Sequence, residues 1–281
     1  MINYDIPSPN DINNVADWAE FYIAYIEESL SKAALSSAIE QSRGFEPPED
    51  FIISVWNELE TRNKRYGSNC PFRIDSLTIE PTINWKEIPD YMLCLIFSLE
   101  GNPNTNAVSA AYSGKLFERI CQIAIKNYIQ GNCIVYGHPH EQDVSKIAND
   151  LLKEKFNQLP PSYRKDRNLD LFAWKSFDDD RASQIIMLIQ CAAGHNWKTK
   201  LTELSLRAWE LYIHYAAIPI KGFTIPRVIS SNDDLLEHSR DAGVIFDRTR
   251  LFRNIESSQR NVEFVEELNI WCDLRLLEIL N

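Results

Sequence analysis

The chain has 281 residues, 44% of them hydrophobic and 25% charged, so it can bury a substantial core without disulfides. Nine glycines are few and argue against architectures built on glycine-rich phosphate loops. The formal charge of -11 and the pI near 5.0 argue against a broad basic face for nucleic acid, although a local basic groove remains compatible with them.

The six cysteines contain no CxxC pair, and most lie in apolar segments, where a free cysteine behaves as a small buried hydrophobe. We therefore expect reduced thiols and a cytoplasmic protein. The N-terminal sequence has no basic segment followed by an apolar one, and no apolar stretch reaches the roughly 18 residues of a membrane span. No membrane association is expected.

The first hundred residues predict a helical region. Apolar residues recur at helical spacing from Val15 to Leu30, which predicts a helix over 11–42, and a second helix over 49–66 ends at Gly67. An extended segment follows over 70–85 and a short helix over 91–99. The turn-forming residues of 100–106 then mark a boundary, so 1–106 is predicted to be an N-terminal helical region.

The remainder, 107–281, alternates between helix and strand patterns. The apolar runs near 168–176 and 184–192 are typical of strands covered on both faces, which favours a mixed α/β core. The other predicted strands lie near 133–136, 221–228 and 243–247. Helices are predicted over 113–129, 143–157, 197–215 and 259–280.

Three short motifs have a familiar order and spacing. They are GKLFE at Gly114–Glu118 on a helix, Asp170 within NLDLFAW on a strand, and Gln190-Cys191-Ala192 at the end of the next strand. Over residues 107–230 this arrangement resembles the restriction-endonuclease-like fold of the PD-(D/E)XK nuclease superfamily. The resemblance implies an α/β domain with a mixed sheet flanked by helices, spanning 107–281 with its C-terminal helix.

The resemblance also implies a metal site. Asp170 and Gln190 would ligate Mg²⁺ or Mn²⁺ through oxygen, and Glu118 would lie in the outer shell. Residues two apart in a strand share a face, so Gln190 and position 192 would lie together. Gln190 replaces the carboxylate of the family motif.

The lysine of that motif is missing, because Ala192 stands in its place. Lys198 and Lys200, at the start of the predicted following helix, are the candidates to replace it. Otherwise catalysis has been lost, and the sequence leaves both outcomes open. The basic residues Arg164, Lys165, Arg167 and Lys175 flank the site, and with Lys198 and Lys200 they form the candidate phosphate-facing patch.

Each site residue also has an ordinary structural interpretation. Asp170 could be a strand-end carboxylate, Glu118 a solvated helix residue and Gln190 a core amide with its hydrogen bonds satisfied. The remaining candidates are weaker. Cys191 with His195 or His140 could form a nucleophilic pair, but an apolar strand usually holds an inert thiol. His138 and His140 are too few ligands for a zinc site. Asp178–Asp180 is most simply an exposed turn.

Two hypotheses follow. The first is a divergent metal-dependent nuclease that cleaves phosphodiester bonds of DNA or RNA, with a place in prokaryotic antiviral defence. The second is a catalytically inactive nuclease-fold subunit that binds a partner protein within a defence or nucleic-acid-processing complex. Both place the protein in a multi-subunit system, and both rest on the resemblance, since a fold does not determine a function.

Overall fold

The structure is a computed structural model, and it describes residues 5–101, 109–136, 143–161, 167–255 and 260–280. In the described part of the chain, no helix has both the length and the apolar character that are needed to cross a bilayer. The chain divides into two compact units. The first comprises Met1–Phe117, Pro226–Ser230 and Arg248–Asn281, and the second comprises Glu118–Ile225 and Ser231–Asp247.

These units divide the chain differently from the predicted 1–106 and 107–281. The C-terminal helix, which the sequence places with the α/β region, belongs by its contacts to the first unit. Pro226–Ser230 also belongs to the first unit, although the chain on either side of it belongs to the second. A boundary based on a local turn signal cannot detect such returns of the chain, because they depend on contacts distant in sequence.

The first unit is mostly helical, as predicted for the N-terminal region. Its helices are α1 (Ile12–Ile26), α2 (Lys32–Arg43), α3 (Glu49–Tyr66), α4 (Pro89–Glu100), the first part of α5 (Ala110–Ile129), α9 (Arg248–Arg253) and α10 (Val262–Leu280). Three short strands form an antiparallel sheet in the order β1-β3-β2: β1 (Leu30–Ser31), β2 (Phe72–Ile74) and β3 (Thr78–Pro81).

The single helix predicted over 11–42 is wrong, because two helices occupy this stretch. Asp11 caps α1 by accepting a hydrogen bond of 2.9 Å from the Asn14 N–H, and α1 ends where Glu27 adopts a left-handed conformation. Ser31 then caps α2 through the Ala34 N–H. The apolar spacing concealed this break because Leu30, which continues the stripe of α1, is buried in strand β1 instead.

A buried ionic network lies in the core of the first unit. Arg62 of α3 contacts Asp17 at 2.6 Å and Glu20 at 2.8 Å, both on α1, and also Glu58 at 2.6 Å. Arg248 at the start of α9 contacts the same Asp17 at 2.6 Å and Glu20 at 3.2 Å. Because buried charges are tolerated only when they are paired, this network ties α1 to both α3 and α9.

The second unit is built on a mixed five-stranded sheet in the order β10-β9-β7-β6-β4. Its strands are β4 (Asn132–Val135), β6 (Leu171–Lys175), β7 (Ile185–Cys191), β9 (Ile220–Thr224) and β10 (Val244–Phe246). The pairs β4–β6 and β6–β7 are antiparallel, whereas the pairs β7–β9 and β9–β10 are parallel. A separate antiparallel pair joins β5 (Lys155–Phe156) to β8 (Ile213–His214).

Both faces of the central strands are covered. On one face, Phe172 of β6 packs edge-to-face against Tyr136 and Trp209, with ring centroids 5.3 and 5.4 Å apart. On the other face, the Cys121 thiol of α5 donates a hydrogen bond of 3.1 Å to the Thr224 hydroxyl at the end of β9. The predicted fold class, a mixed sheet flanked by helices with an N-terminal helical region, is confirmed.

Two helices predicted in this unit are much shorter than expected. Residues 143–157 form α6 (Val144–Lys146), a π-helical turn at Ile147–Leu151, and strand β5. Residues 197–215 form a 3₁₀ turn at Trp197–Lys200, α7 (Leu206–Trp209) and strand β8. The sequence analysis also missed α8 (Asn232–Ala242), a polar helix in which only Ala242 is buried, so that its apolar pattern is weak.

Candidate functional site

Asp170 lies immediately before β6 and is held by three hydrogen bonds to neighbouring strands. Its N–H donates to the Ile189 carbonyl at 3.0 Å, and its carbonyl accepts from the Tyr136 N–H at 2.6 Å. Its Oδ2 accepts a hydrogen bond of 2.7 Å from the Cys191 N–H at the end of β7. The half-buried carboxylate is therefore fixed at the junction of β4, β6 and β7.

Hydrogen bonds and charge interactions link Asp170 through Cys191 to four side chains at this end of the sheet: Glu118 and Cys121 from α5, Cys191 itself from β7 and Thr224 from β9. Together with Asp170 we name them the strand-end cluster. The Cys121 thiol hydrogen-bonds Thr224, and Thr224 is the register partner of Cys191 in the parallel pair β7–β9. A helix and three strands therefore contribute to one small site within the second unit.

The charges of the cluster affect the pKa of the Cys191 thiol. Burial raises the pKa of this thiol well above its usual value, and a hydrogen bond with Cys121 raises it further. The negative charges of Asp170 and Glu118 act in the same direction, since both disfavour a thiolate nearby. The structure thus brings Glu118 and Asp170, two of the residues predicted to form the site, towards the same thiol.

Gln190 occupies the opposite side of β7 from Cys191, because adjacent residues of a strand face opposite ways. Its Nε2 donates a hydrogen bond of 2.9 Å to the Glu203 carboxylate. Its Oε1 is buried and has no hydrogen-bond partner among the described residues. The Glu203 contact engages only the amide nitrogen, so metal binding by the Gln190 oxygen beside Asp170 stays a prediction.

The candidate lysines lie in the 3₁₀ turn that follows β7. The Lys198 Nζ lies over the ring of its neighbour Trp197, 5.6 Å from the centroid, and its side chain is exposed. Lys200 ends the same turn and is half-buried. Ala192, at the lysine position of the family motif, is fully buried, and its N–H donates to the Thr224 carbonyl at 2.9 Å. This position is closed to a longer side chain without rearrangement.

The predicted phosphate-facing residues do not share one end of the sheet. Arg167 is close to Asp170 in sequence, and its Nε donates a hydrogen bond of 2.8 Å to the Tyr212 hydroxyl. Lys175 ends β6, five residues after Asp170, and at about 3.3 Å per residue it lies roughly 16 Å away along the strand. Its Nζ donates to the Gln130 carbonyl. Arg164 and Lys165 lie outside the described residues.

The sequence also suggested a cysteine nucleophile, a histidine pair and an acidic turn. The raised pKa of the Cys191 thiol disfavours a thiolate nucleophile at neutral pH. His138 and His140 lie outside the described residues. The exposed-turn interpretation of Asp178–Asp180 is confirmed: all three residues are exposed between β6 and β7, and Asp179 pairs with Arg181 at 2.5 Å.

The donor set of the cluster can be tested against Mg²⁺. In the described ranges, no three His, Cys, Asp or Glu side chains converge as a metal site. Glu118 and Asp170 nevertheless supply the hard oxygen donors that Mg²⁺ prefers, and Mg²⁺ usually binds through one or two carboxylates together with water and substrate phosphate. The protonated Cys191 thiol is a poor ligand for such an ion. The cluster therefore fits a two-carboxylate site but not a cation cage formed by protein alone.

The sequence analysis missed Cys121, Thr224 and Glu203 as neighbours of the predicted site. Cys121 follows Glu118 by three residues on α5, so helical spacing alone could have placed both on one face. No local signal could have found Thr224 or Glu203. Thr224 reaches the cluster through the parallel pairing of β7 with β9, and Glu203 reaches Gln190 from an irregular segment.

No family model and no curated protein matches the sequence. Among solved structures, the restriction endonuclease FokI aligns at 10% identity over 90% of this chain and 46% of its own, with a TM-score of 0.23. FokI bound to DNA aligns at 8% identity over 92% of this chain and 48% of its own, with a TM-score of 0.21. This chain thus spans about half the length of FokI. Scores this low carry no argument, so the fold assignment rests on the sheet itself.

Proposed function

We propose that the chain is a restriction-endonuclease-like protein that hydrolyses phosphodiester bonds of nucleic acid with Mg²⁺ or Mn²⁺, held by Glu118 and Asp170. The observation that supports this proposal is the approach of these two carboxylates to one thiol at the strand ends. Mg²⁺ usually binds through one or two carboxylates together with water and substrate phosphate, which is the donor set that these two residues supply. A role in antiviral defence is part of the proposal and rests on the sequence resemblance alone.

In this proposal three residues of the cluster, Cys191, Asp170 and Glu118, have defined tasks. The Cys191 N–H fixes Oδ2 of Asp170, so the carboxylate enters the site in one orientation. Glu118 approaches from helix α5. Glu118 and Asp170 would hold the cation, which would supply an activated water and neutralise charge that develops on the phosphoryl oxygens. Gln190 lies on the other side of β7 from Cys191, and its role as a further metal ligand stays a prediction.

The missing lysine is the least defined part of the proposal. Lys198 and Lys200 remain the predicted replacements, six and eight residues after position 192. Lys198 would have to leave the Trp197 ring, over which its ammonium lies, to approach Asp170. A cation–π contact at an exposed site is worth only about 0.5–1 kcal/mol, so this movement is inexpensive. Single Lys198→Met and Lys200→Met variants in the cleavage experiment below therefore test the two lysines individually.

The experiment incubates the purified chain with labelled single- and double-stranded DNA and RNA in Mg²⁺, Mn²⁺ or EDTA. We expect metal-dependent cleavage that Asp170→Asn and Glu118→Gln each reduce by more than about 100-fold, by analogy with the effect of disturbing metal sites. Asp178→Asn makes the same chemical change on the exposed turn and should cleave normally. Cleavage that survives Asp170→Asn at the unchanged rate would refute the site assignment.

A second candidate function is a catalytically inactive subunit that keeps the fold and binds a partner protein. The observation that favours it is the fully buried Ala192, which leaves no room for the motif lysine. This candidate predicts no cleavage of any substrate. It also predicts that Mg²⁺ and Mn²⁺ leave the melting temperatures of the wild-type chain and of Asp170→Asn unchanged. A metal that binds only the folded chain would instead raise the melting temperature of the wild type.

A further inference from the structure

The C-terminal ends of α3 and α9 lie side by side in the first unit. Asn69, in the turn that follows α3, donates from its Nδ2 to the carbonyl oxygens of Phe252 at 3.1 Å and Arg253 at 3.3 Å. These bonds occupy carbonyl groups at the end of α9. The Arg253 guanidinium lies instead against Gly67, since its Cζ would be 3.8 Å from a Cβ atom at this glycine. A cation of α9 is thus placed at the end of α3.

Three further basic residues surround this point. Arg65, in the last turn of α3, donates hydrogen bonds to the carbonyl oxygens of Ile229 at 3.1 Å and Ser230 at 2.7 Å. Its guanidinium is therefore fixed in place by neutral acceptors. Lys64 is exposed beside it, and Arg250 is exposed one turn before the end of α9. We name the four residues the α3–α9 basic patch: Lys64, Arg65, Arg250 and Arg253.

The patch keeps most of its positive charge. Within the described ranges of the chain, Lys64, Arg65 and Arg253 form no ion pair with a carboxylate. Basic residues are common near helix C-termini because they interact favourably with the macrodipole, which amounts to about half a negative charge at each end. Two helix ends therefore offset about one of the four positive charges. The dipoles alone do not account for so many cations at one place.

We propose that the α3–α9 basic patch binds the phosphodiester backbone of nucleic acid. A guanidinium presents paired N–H donors that match phosphate oxygens, and a lysine adds a point charge. The formal charge of -11 repels a polyanion from most of the surface, so a local group of cations without carboxylate partners is where one can approach. The choice of nucleic acid among polyanions rests on the proposed function. The contact itself requires neither metal nor cleavage.

The test measures the binding of fluorescein-labelled DNA and RNA by fluorescence anisotropy in EDTA, where metal-dependent cleavage cannot occur. The variant Lys64→Gln with Arg253→Gln should bind about tenfold more weakly than the wild type at about 50 mM salt. The slope of log affinity against log salt should become shallower by about two, because two phosphate contacts no longer release counterions. Both side chains are exposed, so the melting temperature should stay close to that of the wild type.

A matched control removes the same two residue types elsewhere in the first unit. Arg73 pairs with Glu80 at 2.5 Å and Lys86 with Asp273 at 2.8 Å, so Arg73→Gln with Lys86→Gln changes the net charge equally but removes cations that carboxylates already offset. This control should bind nearly as the wild type does.

Three results would each overturn the inference: equal losses in the two double variants, an unchanged salt slope, or no binding by the wild type. Polyglutamate that displaces the labelled strand as well as unlabelled DNA does would assign the patch to acidic proteins instead. Cleavage without binding at the patch would overturn this inference alone. Binding at the patch without cleavage would overturn only the proposed activity.

Discussion

The Asp170 carboxylate accepts a hydrogen bond of 2.7 Å from the backbone N–H of Cys191. It thereby serves the fold as well as the proposed chemistry. We expect Asp170→Ala to lower the free energy of unfolding by roughly 1–3 kcal/mol, because the Cys191 N–H loses its charged acceptor. Asp170→Asn keeps an acceptor oxygen and should lose less. Urea denaturation of the three proteins measures the difference, and equal stability of all three would show that the bond contributes nothing.

The thiol of Cys191 provides a second prediction. Because burial, the hydrogen bond with Cys121 and two nearby carboxylates raise its pKa, little thiolate is present near neutral pH. Iodoacetamide should therefore modify Cys191 slowly in the native chain at about pH 8 and rapidly after unfolding in urea. Peptide mass spectrometry measures the extent of modification at each time. Rapid native alkylation, with loss of activity that EDTA does not mimic, would instead support a cysteine nucleophile.

The buried ionic network predicts an unequal response to removal of two arginines. Arg62→Met should lower the free energy of unfolding by about 3–5 kcal/mol, because Asp17, Glu20 and Glu58 would lose a buried partner. Arg73→Met removes an exposed arginine that pairs with Glu80, and its effect should stay below about 1 kcal/mol. Chemical denaturation of both variants tests the contrast. Similar losses would mean that the buried network contributes little.

The same network predicts a particular pH dependence. Burial alone would raise the pKa of Asp17, but Arg248 and Arg62, helped by the Ser98 hydroxyl, hold it well below its usual value. A lowered folded-state pKa stabilises the fold above the unfolded pKa of about 3.9, and this stabilisation is lost as the pH falls further. Asp17→Asn should therefore be less stable than the wild type at pH 7, by a margin that shrinks below about pH 4.

Unfolding curves at several pH values, compared with those of Asp233→Asn as a control, measure this margin. Asp233 lies in the exposed first turn of α8, outside the network. If the difference in free energy of unfolding between wild type and Asp17→Asn stayed constant from neutral to acidic pH, Asp17 would titrate alike in the folded and unfolded chains. That result would contradict the lowered pKa of Asp17 in the folded chain.

Strong local patterns predicted their elements well. The unbroken apolar run of β7 and the Gly67 signal at the end of α3 each produced the expected strand or helix. Predictions were wrong where the pattern was weak or where contacts distant in sequence decide the structure. The break at Glu27 and the short helices of 197–215 depend on packing that a sequence window does not contain, whereas the polar helix α8 was missed because it buries only Ala242 and has a weak apolar pattern.

The same contrast between local patterns and contacts distant in sequence applies to the candidate site. Asp170 and Glu118 were chosen from local motifs, and the fold brings both towards one end of the sheet. The different surroundings of Gln190 and Cys191 could not be predicted in this way. Asp170 precedes the regular part of β6, and its side chain reaches the N–H of Cys191. The contact between Asp170 and the Cys191 N–H therefore depends on the geometry of the strand ends, which no local motif contains.

The alternation of β7 also determines how this site can change. Leu188 packs in the aromatic core beside Phe172. A one-residue shift in the register of β7 would move every side chain of the strand to the opposite face of the sheet, so such a shift is strongly disfavoured. The core therefore fixes the backbone of position 191, and we expect this position to stay near the Asp170 and Glu118 carboxylates when its side chain is changed. A substitution of Cys191 should therefore change the chemistry of the strand ends without changing the pairing of β7. A single mutation is enough to place a different side chain at this point.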